Sequence, residues 1–219
     1  MRNPRVPWPI YQLKITLRDI QPPIWRRIQV ASDVTLYQLH NLLQLVMGWS
    51  DSHLHQFAKG RTFYGTPDQE FGDEVLPEKE IRLKDVLVRP RERILYEYDF
   101  GDSWEHDVVL ERVLEPDAET AYPVCLAGQR ACPPEDCGGV PGYYYLLEAL
   151  ADRRHPEHEE FKEWTGGGFD AEEFSVETIN RYIQRKSKSR KAHGGQRGPA
   201  GKCRDVRAVY RFYDDAVIR

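Results

Sequence analysis

His53-Leu54-His55 places two imidazoles two residues apart, and residues so spaced on a strand project from the same face. Such a pair can converge on one metal ion, because the neutral imidazole nitrogen is a common zinc ligand. The run Tyr96-Glu97-Tyr98-Asp99-Phe100-Gly101-Asp102-Ser103-Trp104-Glu105-His106-Asp107 adds further nitrogen and oxygen donors. His53, His55, Asp99, Asp102 and His106 together form a candidate divalent-metal or polar site. Its chemistry would be that of a metal-dependent hydrolase or nuclease. The plainer alternative is that these are ordinary polar residues of surface and core.

A second motif is Cys132-Pro-Pro-Glu-Asp-Cys137-Gly-Gly-Val-Pro-Gly-Tyr143, with its cysteines five apart and Cys125 seven residues earlier. Structural zinc would order such a glycine-rich loop, although the usual signature is two tight pairs. A fourth ligand would then have to be a histidine or the remote Cys203. The other reading is a rigid loop: Pro133-Pro134 restricts the backbone, Glu135 or Asp136 accepts backbone hydrogen bonds, and Gly138-Gly139 supplies positive φ. Cys132, Glu135, Asp136 and Cys137 are therefore a candidate binding loop. Its acids could receive a cationic partner.

Charge is unevenly spread. Residues 181 to 219 carry twelve Lys and Arg against three acids, about +9, while the first 180 residues sum to about −13. An acidic body repels phosphates over most of its surface, which excludes broad nucleic-acid binding there. The tail, with Arg185, Lys186, Lys188, Arg190 and Lys191, is the exception, and could contact nucleic acid or an acidic protein. A solvated linker is the competing reading.

Composition bounds the class: 219 residues, 40% hydrophobic, suit one globular domain with a small appendage. No eighteen-residue apolar run and no secretory h-region occur, so the reading is cytoplasmic, with no membrane partner and with reduced thiols.

The elements that must position these residues follow from periodicity. Ile10 to Asp19 and Ile24 to Val30 read as strands. Leu36, Leu39, Leu42, Leu43, Val46 and Met47 form a helical stripe capped by Ser32 or Asp33 and ended by Gly48. A strand from His53 to Lys59 and a short helix near Leu83 to Leu87 follow. Arg93 to Phe100 and Trp104 to Leu114 make a hairpin across Gly101-Asp102-Ser103. In the register that keeps each face uniform, Phe100 faces Trp104 and Tyr98 faces His106, with Glu97, Asp99, Glu105 and Asp107 opposite; loops of four or five residues remain open. That register puts His106 among aromatics, as a core histidine.

Pro116 to Pro141 reads as a long irregular connection, and helices at Gly142 to Ala151, Pro156 to Trp164 and Val176 to Ile183 complete the fold. The organisation is thus a domain over 1–184, a flexible basic linker over 185–204 and a docking segment over 205–219.

Pro23-Ile24-Trp25-Arg26-Arg27, Leu36 to Trp49, His53-Leu54-His55-Gln56-Phe57, Tyr98 to His106 and Cys132 to Tyr143, in this order, resemble the plasmid pRiA4b ORF-3-like family. The resemblance implies an α+β fold, an α/β roll with a mainly antiparallel sheet packed by helices. Members occur as passenger genes of insertion elements, some bearing the resolvase-like label TnpR, with no activity to carry over. A serine recombinase needs a nucleophilic serine near its first strand, but the first serine here is Ser32, in a helix-capping segment. The resolvase reading is rejected. An uncharacterised binding or accessory module of mobile elements remains, with metal-dependent hydrolysis as the alternative. Any site is expected where the Cys132 loop meets the turn at Asp102 and the His53-His55 strand.

Overall fold

Alternation of apolar and polar residues builds most of this fold. The computed structural model describes residues 7–67 and 75–193, with side chains through Lys186. In chain order the elements are β1 (Ile10–Leu17), β2 (Trp25–Ala31), α1 (Leu36–Met47), β3 (His55–Lys59), β4 (Thr62–Gly65), β5 (Val75–Pro77), α2 (Leu83–Val86), β6 (Arg93–Tyr98), β7 (Trp104–Leu114), β8 (Val124–Gln129), α3 (Gly139–Ala151), α4 (His158–Trp164) and α5 (Val176–His193). The strands form one sheet ordered β5-β4-β3-β6-β7-β1-β2-β8. It is antiparallel throughout except at β4–β5, which makes the chain α+β as the sequence implies.

One sheet face is the core. Leu13, Ile15 and Leu17 of β1, Ile28 and Val30 of β2, and Trp104, His106, Val108 and Leu110 of β7 are all buried on it. Leu36, Leu39, Leu43 and Met47 of α1 complete that core, each buried aliphatic side chain stabilising by roughly 1.5–3 kcal/mol. The opposite face is solvated, as antiparallel sheets allow. There Arg18 bonds Glu105 and Asp107, both at 2.7 Å, and Arg27 bonds Glu111 at 2.6 Å.

Three sequence expectations need correction. Helix α1 is capped by Thr35, not by Ser32 or Asp33: the Thr35 hydroxyl accepts from Gln38 N–H at 3.2 Å, and the Gln38 side chain accepts from Thr35 N–H at 2.9 Å. This reciprocal pair satisfies two otherwise orphaned donors, which a lone serine upstream would not. Gly48 ends the helix at φ 94°, as read.

The hairpin loop is five residues, Asp99 to Ser103, so Tyr98 pairs with Trp104 and Tyr96 with His106. The expected pairing is off by two residues. Because the side-chain period is two, the faces keep their identity, with Glu97 opposite Glu105 on the solvated side. Asp99 leaves the strand altogether: at φ 59° it folds back, its Oδ1 accepting from Gly101 N–H at 3.0 Å and Asp102 N–H at 3.3 Å. Phe100 is consequently exposed.

The connection read as irregular contains β8, which pairs with β2. The free side of β8 is held by Asn180 of α5, whose amide accepts from Cys125 N–H and donates to Cys125 O, both at 2.8 Å. Contacts divide the chain after Ile183, and the second unit begins with the remainder of α5.

Candidate functional site

Three loops meet at one end of the sheet. The first follows α1, the second is the hairpin turn, and the third is the Cys132 loop. Trp49 donates from Nε1 to Pro133 O at 3.0 Å, and Ser50 donates to Glu135 from its backbone N–H at 3.2 Å and from its hydroxyl at 2.5 Å. The Tyr98 hydroxyl also donates to Glu135 and accepts from Ser52 N–H at 3.0 Å. Glu135 is therefore spent on holding loops together.

The turn and the Cys132 loop touch directly. Gly138 N–H donates to Asp102 Oδ2 at 3.2 Å. Gly139, at φ 66°, lies so close that a Cβ there would come within 2.6 Å of Asp102 O. Asp99 N–H donates to Leu54 O at 2.8 Å, which ties the turn to the segment entering β3.

This lacing brings His53, Asp99 and Asp136 together. His53 Nε2 lies 3.1 Å from Asp136 Oδ1 and 3.6 Å from Asp99 Oδ2. Both distances are within ion-pair range, yet the buried Nε2 makes no hydrogen bond: Asp99 lies beyond hydrogen-bond distance, and Asp136, though near enough, is not aligned with it. The ring stands edge-on to Tyr98 at 5.8 Å. Asp136 is exposed, and Asp99 is buried. One donor atom from each of the three lies within 4.8 Å of the others, so these residues could hold a metal.

His55 does not join His53. Strand β3 begins at His55, so His53 sits before the strand and the two rings take different directions. The His55 ring stacks on His40 at 3.4 Å between centroids and 2° between planes, and its Nε2 lies 2.9 Å from Glu78 Oε2. His40 Nδ1 is 2.9 Å from the Tyr96 hydroxyl, and His40 Nε2 is 2.9 Å from Asp51 Oδ1.

Donor order fixes the proton on His40. Asp51 N–H donates to Gln44 Oε1, so the Gln44 amide nitrogen donates to Tyr96 Oη. Burial pushes the Tyr96 phenol well above its ordinary pKa, so it keeps its hydrogen and gives it to His40 Nδ1. His40 Nε2 then carries the hydrogen bonded to Asp51. Burial also lowers the His40 pKa, with the Asp51 bond opposing, which keeps the ring neutral. His40, Asp51 and His55 also lie within metal-donor range of one another. Yet His40 has no lone pair free toward Asp51, and two imidazoles in parallel planes cannot both aim one at a common ion.

The remaining predicted residues separate. His106 is fully buried, with Nδ1 3.3 Å from Tyr96 O, and burial lowers its pKa to about 4. It is a core residue, apart from His53. Asp102 contributes by holding Gly138 rather than by facing His53. Cys132 Sγ lies 3.6 Å from both Arg26 Nη2 and Met47 Sδ, and burial raises its thiol pKa to about 11. Cys137 is raised to about 12 by burial and then by the Asp102 charge. Among the described residues neither metal-donor group includes a cysteine. In the Cys132 loop Glu135 accepts from Ser50 N–H, and Gly138 and Gly139 have positive φ, features that the rigid-loop reading expects.

Sequence reasoning missed His40, Glu78 and Arg26, the last buried with Nε donating to Val46 O at the end of α1. His40 had a signal, since it falls on the apolar stripe of α1. Arg26 had one as well, since it alternates with Ile28 and Val30 on the inward face of β2, whereas Glu78 had none.

The description "Plasmid pRiA4b ORF-3-like protein" matches residues 9–178. The chain belongs to this family. It is 36% identical over 176 residues to uncharacterized protein y4hQ of Sinorhizobium fredii (strain NBRC 101917 / NGR234), spanning 80% of this chain and 90% of that one. Among solved structures it is similar to the protein of unknown function MM3350 from Methanosarcina mazei Go1, at 39% identity and a TM-score of 0.72. That likeness covers 78% of this chain and 98% of the other. The name of neither relative assigns it an activity.

The basic residues Arg185 to Lys191 follow Ile183 in the chain, in the second unit. Helix α5 extends to His193, so Arg185, Lys186, Lys188, Arg190 and Lys191, read as the start of a linker, have helical backbone. Residues 194–219, including the predicted docking segment, lie outside the described residues. Among the described residues no helix is long and apolar enough to cross a membrane.

Proposed function

We propose that this protein is a binding module whose basic C-terminal segment contacts nucleic acid, with the family domain as its folded anchor. The observation that carries this reading is separation of charge along one chain. From Thr178 to Arg204 there are nine Lys and Arg and no acid, in a protein whose other residues are strongly acidic. That stretch begins in helix α5, where Arg181 and Arg185 are exposed.

The arginines Arg18 and Arg27 of the solvated sheet face are paired with Glu105, Asp107 and Glu111, and the loop junction gathers Asp99, Asp102 and Asp136. A dense line of phosphates is the partner that charge alone can recognise. A family described from a plasmid fits an accessory role on mobile-element DNA. Metal-dependent hydrolysis is the competing reading, and it requires first that the junction hold a metal.

A gel-shift titration tests the proposal, comparing the full chain with a variant carrying Arg185, Lys186, Lys188, Arg190 and Lys191 all changed to Ser. The full chain should bind duplex DNA with an affinity that falls steeply with salt, and the variant should bind at least tenfold more weakly. Equal binding by both, no binding by either, or a preference for polyglutamate over DNA would each overturn the reading.

A further inference from the structure

We propose that His53, Asp99 and Asp136 form a binding site for a divalent transition-metal ion of the zinc or manganese class. This goes beyond the nucleic-acid reading and does not depend on it.

The first argument is distance. Two metal–ligand bonds of about 2.1 Å at a tetrahedral angle separate their donor atoms by about 3.4 Å. His53 Nε2 lies 3.1 Å from Asp136 Oδ1 and 3.6 Å from Asp99 Oδ2, on either side of that spacing.

The second is an unspent donor. His53 Nε2 is buried and makes no hydrogen bond although the Asp136 carboxylate is 3.1 Å away. A ring nitrogen shielded from water and misaligned with its neighbours loses hydration without compensation. An ion between the three groups would engage it.

The third is preparation of the ligands. Asp99 uses Oδ1 for the turn N–H groups of Gly101 and Asp102, which leaves Oδ2 for the site. Asp136 follows Glu135, whose carboxylate is fixed by Ser50 and Tyr98. Both aspartates hold left-handed backbone, φ 59° and 61°, so each carboxylate is placed by loop conformation as well as by contacts. Orienting bonds of this kind behind the ligands are characteristic of metal sites.

Charge argues the same way. Asp99 and Asp136 both flank one imidazole, and two like charges so placed repel until a cation joins them. One nitrogen and two carboxylate oxygens suit a borderline or hard ion rather than a soft one. Three protein donors leave at least one coordination position for water or an oxygen ligand, the pattern of reactive rather than purely structural zinc.

The test is calorimetric titration of Zn²⁺ and Mn²⁺ into the chelator-stripped full chain, with metal content measured after dialysis. One equivalent should bind. Because losing an orienting partner alone costs about 10- to 100-fold in affinity, D136N and H53Q should each lose at least that much. Asp136 is exposed, so D136N leaves the fold intact, which circular dichroism checks. H55Q disturbs only the His40 group and should retain the metal. Absence of binding for both ions, unchanged affinity in D136N and H53Q, or loss confined to H55Q would overturn the assignment. The Arg/Lys-to-Ser variant that should lose DNA should keep the metal, so the two readings fail separately.

Discussion

The Tyr98 hydroxyl donates to Glu135, and each of these residues immediately precedes an aspartate of the His53 group. One hydrogen bond thus sets the hairpin turn against the Cys132 loop at the point where their carboxylates converge.

Removing that bond should be felt in stability. In Tyr98→Phe, Glu135 keeps Ser50 but loses its phenol donor, and hydrogen bonds to charged groups contribute about 1.5–3 kcal/mol. Glu135→Ala should cost more, because Ser50 N–H, the Ser50 hydroxyl and Tyr98 all lose their acceptor. Urea denaturation of both variants would measure the order. A Tyr98→Phe midpoint as low as that of Glu135→Ala would show that the bond from Ser52 N–H to the same hydroxyl, lost with it, outweighs the Glu135 contacts to Ser50.

His106 predicts an acid-sensitive stability. Its folded pKa, about 4, lies below the ordinary 6.5 because burial disfavours the imidazolium. Between those values the unfolded chain binds the proton and the folded chain does not. The contribution is therefore complete above the ordinary pKa and is lost as pH falls through the window. The loss is about 3 kcal/mol at most. His106→Phe should flatten the stability profile between pH 6.5 and 4, as read by denaturation midpoints at each pH. An unchanged slope would place the acid response elsewhere, with His40, also lowered by burial, as the next group to test.

How much of this was legible depended on the range of the interaction. The faces of β6 and β7 were readable because a two-residue slip preserves side-chain parity, so Glu97 stays outside and His106 inside. The loop length was not, since it turns on Asp99 and Ser103 taking positive φ, which their residue types permit without requiring. The meeting of the Cys132 loop with the turn at Asp102 and with His53 was an expectation that residue spacing alone does not give, because it rests on contacts such as Gly138 N–H to Asp102 across thirty-six residues. The parting of His53 from His55 was not expected, because it depends on where β3 begins and on Glu78 and His40, far away in sequence. Strand β8 was hidden because Pro123 and Gly128 flank or interrupt a short run whose edge is completed by Asn180, fifty-five residues on.

Gly139 is the position where the junction is tightest, and it can be separated from ordinary glycine strain by an internal comparison. Gly139 and Gly60 have nearly the same backbone angle, φ 66° and 62°. A Cβ at Gly60 would meet nothing within 4 Å, whereas one at Gly139 would lie 2.6 Å from Asp102 O. Gly60→Ala should therefore report the left-handed penalty alone, about 1 kcal/mol. Gly139→Ala should cost clearly more, because the Cys132 loop must move away from the turn, carrying Asp136 from His53. Paired thermal melts measure the difference, and equal destabilisation by the two substitutions would mean that the loop yields without strain. In the Gly139 variant alone, Zn²⁺ affinity should fall together with stability, since the same displacement that relieves the contact separates the ligands.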